Sequence, residues 1–205
     1  MKGSHRIHAW GAALLASAGL GAGCMGGIQQ EGGLCVRERS IERHGDGTLR
    51  AALLAVPAEI DGIPCRGWAR FHANGRLEES DLARDFTISG QPIPEGSRVA
   101  FRENGDFWST FLARDTLLDG IPCDGGPLKC QTTFHPNGRV KLTFLYEDAL
   151  IQGVPCESSV FAGVHFDAEG KLIGCRLSRD ATVGGVRFPA GARLSWGADG
   201  TVAAH

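Results

Sequence analysis

Residues 134 to 139 read Phe-His-Pro-Asn-Gly-Arg, and residues 71 to 76 read Phe-His-Ala-Asn-Gly-Arg. An imidazole beside an aromatic ring and a guanidinium is the equipment of a general base or a metal ligand. Either role needs partners: a nucleophile and an orienting group, or further ligands. The other histidines do not supply them. His5 and His8 lie in an apolar leading segment, His205 stands last, and His44 and His165 fall singly near turns. No His-Glu-x-x-His, Gly-x-Ser-x-Gly or paired Cys-x-x-Cys stretch occurs. The residues thus offer no catalytic group, no metal site and no cofactor site, and His72 and His135 need another explanation.

An internal repeat supplies it. The glycine of the motif recurs at Gly47, Gly75, Gly105, Gly138, Gly170 and Gly200, at intervals of 28, 30, 33, 32 and 30 residues. Four positions before it stands Phe71, Phe101, Phe134, Phe166 or Trp196, with Arg43 breaking the rule in the first copy. Two after it comes Leu49, Leu77, Phe107, Val140, Leu172 or Val202, and seven after it Leu54, Leu82, Leu112, Leu145 or Leu177. A second glycine follows at a fixed spacing of 15, at Gly62, Gly90, Gly120, Gly153 and Gly185. From there to the next copy the spacing varies: 13, 15, 18, 17 and 15 residues. The variation gathers in one half of the unit, and in repeat proteins such insertions map to loops on one side, often the binding side.

In the frame His135-Pro136-Asn137-Gly138, proline presets the second position of a type I turn and glycine takes a left-handed position. That is a three-residue hairpin loop with a bulge. Other copies fill the frame without histidine, so His72 and His135 read as turn residues. Asp85, Asp115 and Asp180 follow arginines in a second recurring turn, with Asp148 after Glu147 in the fourth copy; they read as caps of their own turns. Between Cys35 and His205 no stretch shows helical period with caps. The expectation is an all-β chain of about ten to fourteen strands, built from five to six units of about 30 residues stacked side by side. Positions two and seven after the turn glycine have opposite parity, so a bulge or corner must lie between them if both face inward. An antiparallel β-meander and a β-solenoid both satisfy this.

The whole chain of 205 residues is 42% hydrophobic with net charge −2, which leaves no basic stripe for nucleic acid. Lys2 and Arg6 precede a short apolar run, Ala9 to Gly23, too short for a comfortable membrane span. Residues 1–23 therefore read as a signal peptide. The run ends at Cys24 and resembles the bacterial lipoprotein signal, which implies acylation of Cys24; ordinary cleavage after Ala18 is the alternative and would give a soluble periplasmic or secreted protein. Residues 24–35, including a Gly-rich stretch from 25 to 33, read as a tether, and 36–205 as one repeat domain. Six further cysteines remain. Cys65, Cys123 and Cys156 share a slot that Ile93 and Phe188 fill in other copies, which suits a small buried thiol. Disulfides are the alternative, with Cys123 and Cys130 the pair nearest in sequence.

The stretches Phe-His-Pro-Asn-Gly-Arg-Val and Phe-His-Ala-Asn-Gly-Arg-Leu resemble MORN-like repeat variants of bacterial proteins, over about residues 36 to 205 and in longer units. The resemblance implies a β-hairpin array used for contact rather than chemistry. The expected function is a membrane-anchored envelope lipoprotein acting as a binding or scaffolding module, with an envelope protein or surface polymer as partner. Off-pattern aromatics, Trp68, Trp108, Phe144, Tyr146 and Phe161, are the candidate contact residues. A hydrolase-like envelope enzyme and a MORN-like antitoxin or immunity-type protein are the competing readings.

Overall fold

The computed structural model describes residues 27–126, 130–197 and 199–205. The signal segment and Cys24 lie outside them. The described chain is all-β, with 23 short strands and a single 3-10 turn at Glu38–Ser40. That exceeds the ten to fourteen strands expected, because each repeat makes four strands rather than two.

Two of the four belong to a long antiparallel sheet. Its twelve successive strands are Glu42–Arg43, Leu49–Leu53, Ile63–Phe71, Leu77–Leu82, Arg98–Phe101, Phe107–Phe111, Gln131–Phe134, Val140–Thr143, Val164–Phe166, Leu172–Arg176, Arg193–Trp196 and Val202–Ala204, a meander in order. The solenoid alternative falls away. The other two strands of each repeat form a small ribbon: Phe86–Ile88 with Gln91–Ile93, Thr116–Leu118 with Ile121–Cys123, Ala149–Ile151 with Val154–Cys156, and Ala181–Val183 with Val186–Phe188. Ala58–Ile60 pairs with the start of Ile63–Phe71 in the same way.

The second glycine explains the ribbons. At Asp119 and Gly120 the backbone takes φ of 49° and 77°, the two left-handed positions of a type I′ turn, which twists as its flanking strands do. The sheet hairpins turn at the first glycine. In the opening motif the Gly138 N–H donates to the His135 carbonyl at 2.9 Å, and His135 N–H to that of Arg139 at 2.9 Å.

The parity conflict is resolved by a bulge. Phe134 pairs with Val140 while Thr133 pairs with Leu142, which leaves Lys141 as an extra residue. The same shift follows the turn glycine in the hairpins of Arg43, Phe71, Phe101 and Phe166. Positions two, five and seven after the glycine then share the inner face. One cross-strand row on that face runs Ala52, Ala69, Ser80, Val99, Thr110, Thr132, and, further along, Thr143, Val164, Cys175 and Leu194; every member is buried.

The ribbons fold back over this face and close the core. Their inward residues Ile88, Leu118, Ile151 and Val183, with the slot residues Cys65, Ile93, Cys123, Cys156 and Phe188, are buried against Leu77, Phe101, Phe107, Phe134 and Phe166. The slot thus takes buried thiols, and burial pushes those of Cys65 and Cys123 up to about 11. All six described cysteines, Cys123 and Cys130 included, are free thiols. The opposite face of the sheet carries no ribbon.

The tether reading needs correction. Ile28–Glu31 pairs with Leu34–Arg37 through Gly32 and Gly33, and Val36 bridges Leu54, fully buried. Val36 stands three after Gly33, as Cys65 stands three after Gly62. This hairpin is an additional ribbon that covers the first repeat.

Candidate binding surface

Most recurring polar side chains are occupied in holding repeats together. His135 Nε2 lies 2.9 Å from the Phe166 carbonyl oxygen, His72 Nε2 2.9 Å from that of Phe101, and His44 Nε2 2.9 Å from that of Phe71. A carbonyl only accepts, so each Nε2 carries the proton. Asn137 donates to the Ala168 carbonyl at 2.7 Å and Asn74 to that of Glu103 at 2.9 Å, while Arg139 and Arg76 reach the carbonyls of Glu169 and Asn104. The histidine of the motif is more than a turn residue: it ties its hairpin to the next one.

The ribbon tips are tied similarly. Asp61, Asp119 and Gln152 each accept a hydrogen bond, at 2.9, 2.9 and 3.1 Å, from the N–H two residues past the next turn glycine, at Leu77, Val140 and Leu172. Gln91 Nε2 donates to Asp119 at 2.8 Å and to the Gly138 carbonyl at 3.1 Å.

The aspartates of the second turn do not cap their own turns. Asp85, Asp115, Asp148 and Asp180 accept from the N–H ten residues later, at Glu95, Gly125, Ser158 and Ala190, at 2.7 to 2.9 Å. Each clasps the base of a ribbon. The Glu95 N–H, then the Arg114 guanidinium, holds the Asp85 carboxyl below its ordinary 3.8. The Ala190 N–H and Arg187 do the same for Asp180. A carboxyl depressed in the folded state contributes stability above its unfolded value and loses it as pH falls through the folded one. The melting temperature is therefore expected to show no loss from these clasps down to about pH 5 and to fall below about pH 4. Asp85→Asn with Asp180→Asn should flatten the acid slope in a pH series of thermal melts; an unchanged slope would rule the clasps out as its source.

What the stitching leaves free is the bare sheet face and the edge opposite the turn glycines, where the loops of varying length gather. The aromatics identified from sequence divide there. Trp68 is 46% exposed in a bulge of Ile63–Phe71. Trp108 is half-buried as the extra residue of another bulge, three strands away, with the Arg102 guanidinium 5.6 Å above its ring. Neither joins the others.

Phe144 and Tyr146 lie between the two longest loops, and Phe161 is carried on the second of them. Asp124 N–H donates to the Phe144 carbonyl at 2.7 Å, and Tyr146 N–H to that of Pro122 at 3.2 Å, which fixes the start of the 124–130 loop. The 157–163 loop crosses on the other side. Its Gly163 sits so close that a Cβ there would meet Leu142 Cδ1 at 2.4 Å and Phe144 Cζ at 3.6 Å. Phe144 is half-buried beneath Gly163. Tyr146 is 36% exposed and Phe161 83% exposed. Glu157 anchors the loop through Arg176 at 3.0 Å, and Ser158 Oγ donates to the Leu145 carbonyl at 2.8 Å.

Several depressions lie on the surface, including one of about 510 Å³ beside Asp81 and Arg98; two others border the loops and ribbons described above. A cleft of about 730 Å³ runs between the 86–93 and 116–123 ribbons, with Phe86, Pro92, Pro94 and Leu117 along it and Arg84 and Arg114 beside them. The second, about 430 Å³, lies on the bare sheet face beside Phe161, floored by Gly174 and edged by His165, Arg176, Arg193 and Ser195. Loop-length variation marked this end of the array in sequence, but nothing marked Gly174, Arg193 or His165. Among the described residues no three His, Cys, Asp or Glu side chains stand close enough to hold a metal, and no helix is long and apolar enough to cross a membrane.

Comparison with known proteins gives no match: no family model, no curated protein and no solved structure corresponds to this chain.

Proposed function

We propose that the chain is an exported, lipid-anchored contact module that holds a partner at the bacterial envelope through its free sheet face and loop edge. One observation carries the reading. The two longest loops, on consecutive repeats, lie on either side of Phe144 and Tyr146, and the second carries Phe161, which at 83% is the most exposed large apolar side chain among the described residues. The loop that carries Phe161 is tied down through Glu157, Ser158 and Gly163, which lowers the ordering cost a partner meets. The anchor rests on the leading apolar run and Cys24: several acyl chains on one residue, each buried CH₂ contributing about 0.8 kcal/mol, hold a protein stably at a bilayer.

The test uses the full chain. Tyr146→Ala with Phe161→Ala should reduce retention of envelope partners on the immobilised protein at least tenfold. The urea midpoint should move by no more than the roughly 0.5 kcal/mol typical of exposed sites. Full retention by the double variant would refute the contact surface. Cys24→Ser should in parallel move the protein from the detergent phase to the aqueous phase on phase separation; an unchanged partition would refute the anchor.

A further inference from the structure

The outer face of the sheet treats charge differently in its two halves. In the first half, one cross-strand row reads Arg66, Asp81, Arg98. Signs alternate, Arg98 Nε meets Asp81 at 3.0 Å, and Arg66 meets Glu95 at 3.1 Å. Charged residues directly opposite one another favour this arrangement. In the second half, Arg176 pairs directly with Arg193. Like charges face each other on adjacent strands, which costs stability. Only one carboxylate answers them. Glu157 takes Arg176 at 3.0 Å, and Arg176 Nε also donates to the Gly191 carbonyl at 3.2 Å. Among the described residues no carboxylate lies within 4.0 Å of Arg193.

The same two arginines edge the basin floored by Gly174. Gly174 pairs with His165 on one side and Ser195 on the other, on the outer face. Its φ is not in the left-handed region, and the nearest atoms a Cβ there would meet are the His165 ring and Cβ, at 3.5 Å or more. The backbone does not demand glycine; its effect is to leave the floor open. Around that floor stand an exposed aromatic ring at Phe161, an unpaired guanidinium at Arg193, and the Ser195 hydroxyl, which hydrogen-bonds His205 Nε2 at 2.7 Å.

We infer that this basin binds an acidic sugar unit of a uronate-bearing polysaccharide. The guanidinium of Arg193 offers a planar fork that matches a carboxylate with two parallel hydrogen bonds. The Phe161 ring suits the apolar C–H face of a pyranose, and Ser195 and His165 supply partners for ring hydroxyls. The basin is partly open to solvent, so one unit of a longer polymer can enter it. A local like-charge cost placed beside an open floor is what a binding site looks like when it is compensated by its ligand. This inference deepens the proposed function and rests on it only for the exported setting.

The experiment is calorimetric titration of the purified full chain with an oligogalacturonate and with a neutral oligogalactose of equal length. The oligogalacturonate is expected to bind and the neutral oligomer not. Arg193→Gln should weaken the acidic oligomer at least tenfold, and Gly174→Val, which fills the floor, by a similar factor. Arg98→Gln, the matching position in the charge-balanced half, should change it less than twofold. Arg193 is exposed, so its variant remains informative if Gly174→Val fails to fold. Equal binding of the neutral oligomer, equal effects of Arg193→Gln and Arg98→Gln, no binding of the acidic oligomer, or binding of a poly(glycerol phosphate) in its place would each overturn the inference. Partner retention that depends on Tyr146 and Phe161 while oligogalacturonate fails to bind would sink the inference alone and leave the contact module standing.

Discussion

Phe134→Ala is expected to destabilise the protein by about 3–5 kcal/mol, the range for emptying a large buried aromatic site. Phe134 is 3% exposed, and its ring stacks on Phe107 at 4.4 Å, with Phe107 in turn 5.6 Å from Phe101. The ring therefore sits at the join between two repeats. Its loss removes a contact within one hairpin and a contact between neighbours, and in an array built from neighbour terms both reduce stability. A urea melt with unchanged slope and a lowered midpoint is the expected record. A shift below about 1 kcal/mol would mean that the ribbons do not close a dry core over the sheet.

The second large effect concerns two turn glycines that look alike in sequence. Gly138 and Gly75 both occupy the left-handed region, with φ of 82° and 81°. A side chain in that region costs about 1–2 kcal/mol by itself. Around Gly75 a Cβ would meet nothing within 4 Å, so Gly75→Ala should cost that much and no more. At Gly138 the Cβ would lie 2.7 Å from both the Cβ and the carbonyl oxygen of Ser89, at the tip of the 86–93 ribbon. Backbone must move, and overpacking of this kind adds about 1–3 kcal/mol. Gly138→Ala should therefore cost roughly 2–5 kcal/mol in all. Paired melts of the two variants check the difference; equal costs would show that ribbon tips do not rest on the sheet turns.

Much of this architecture was legible in the residues. The constant spacing of 15 between glycines marks two turns per unit, and the clash of parity between positions two and seven demands the bulge that Lys141 and its counterparts form. Three things were hidden. The Ile28–Glu31 hairpin looks like a Gly-rich tether because its turn, Gly32-Gly33, is not preceded by the aromatic frame, although Val36 holds the slot position. The bonds of His72 and His135 span 29 and 31 residues, and only the stacking of repeats brings those atoms together, while the clasp of Asp85 spans 10 and closes only when its ribbon folds back. Falling off the repeat pattern marks Phe144 and Phe161 alike. Pattern cannot say that Gly163 covers the first and leaves the second bare. Nor does it reveal Arg193, whose meaning comes from facing Arg176 across a strand pair.

The repeated polar residues bond one repeat to the next, which leaves function to the surface they do not use. Nitrogen-15 spectroscopy of the His135 and His72 imidazoles tests this most directly. The predicted result is a proton fixed on Nε2, slow to exchange, coupled through the hydrogen bond to the carbonyl carbons of Phe166 and Phe101, and unmoved by added zinc. Imidazoles that carry the proton on Nδ1, or whose Nε2 signals shift on adding zinc, would contradict it.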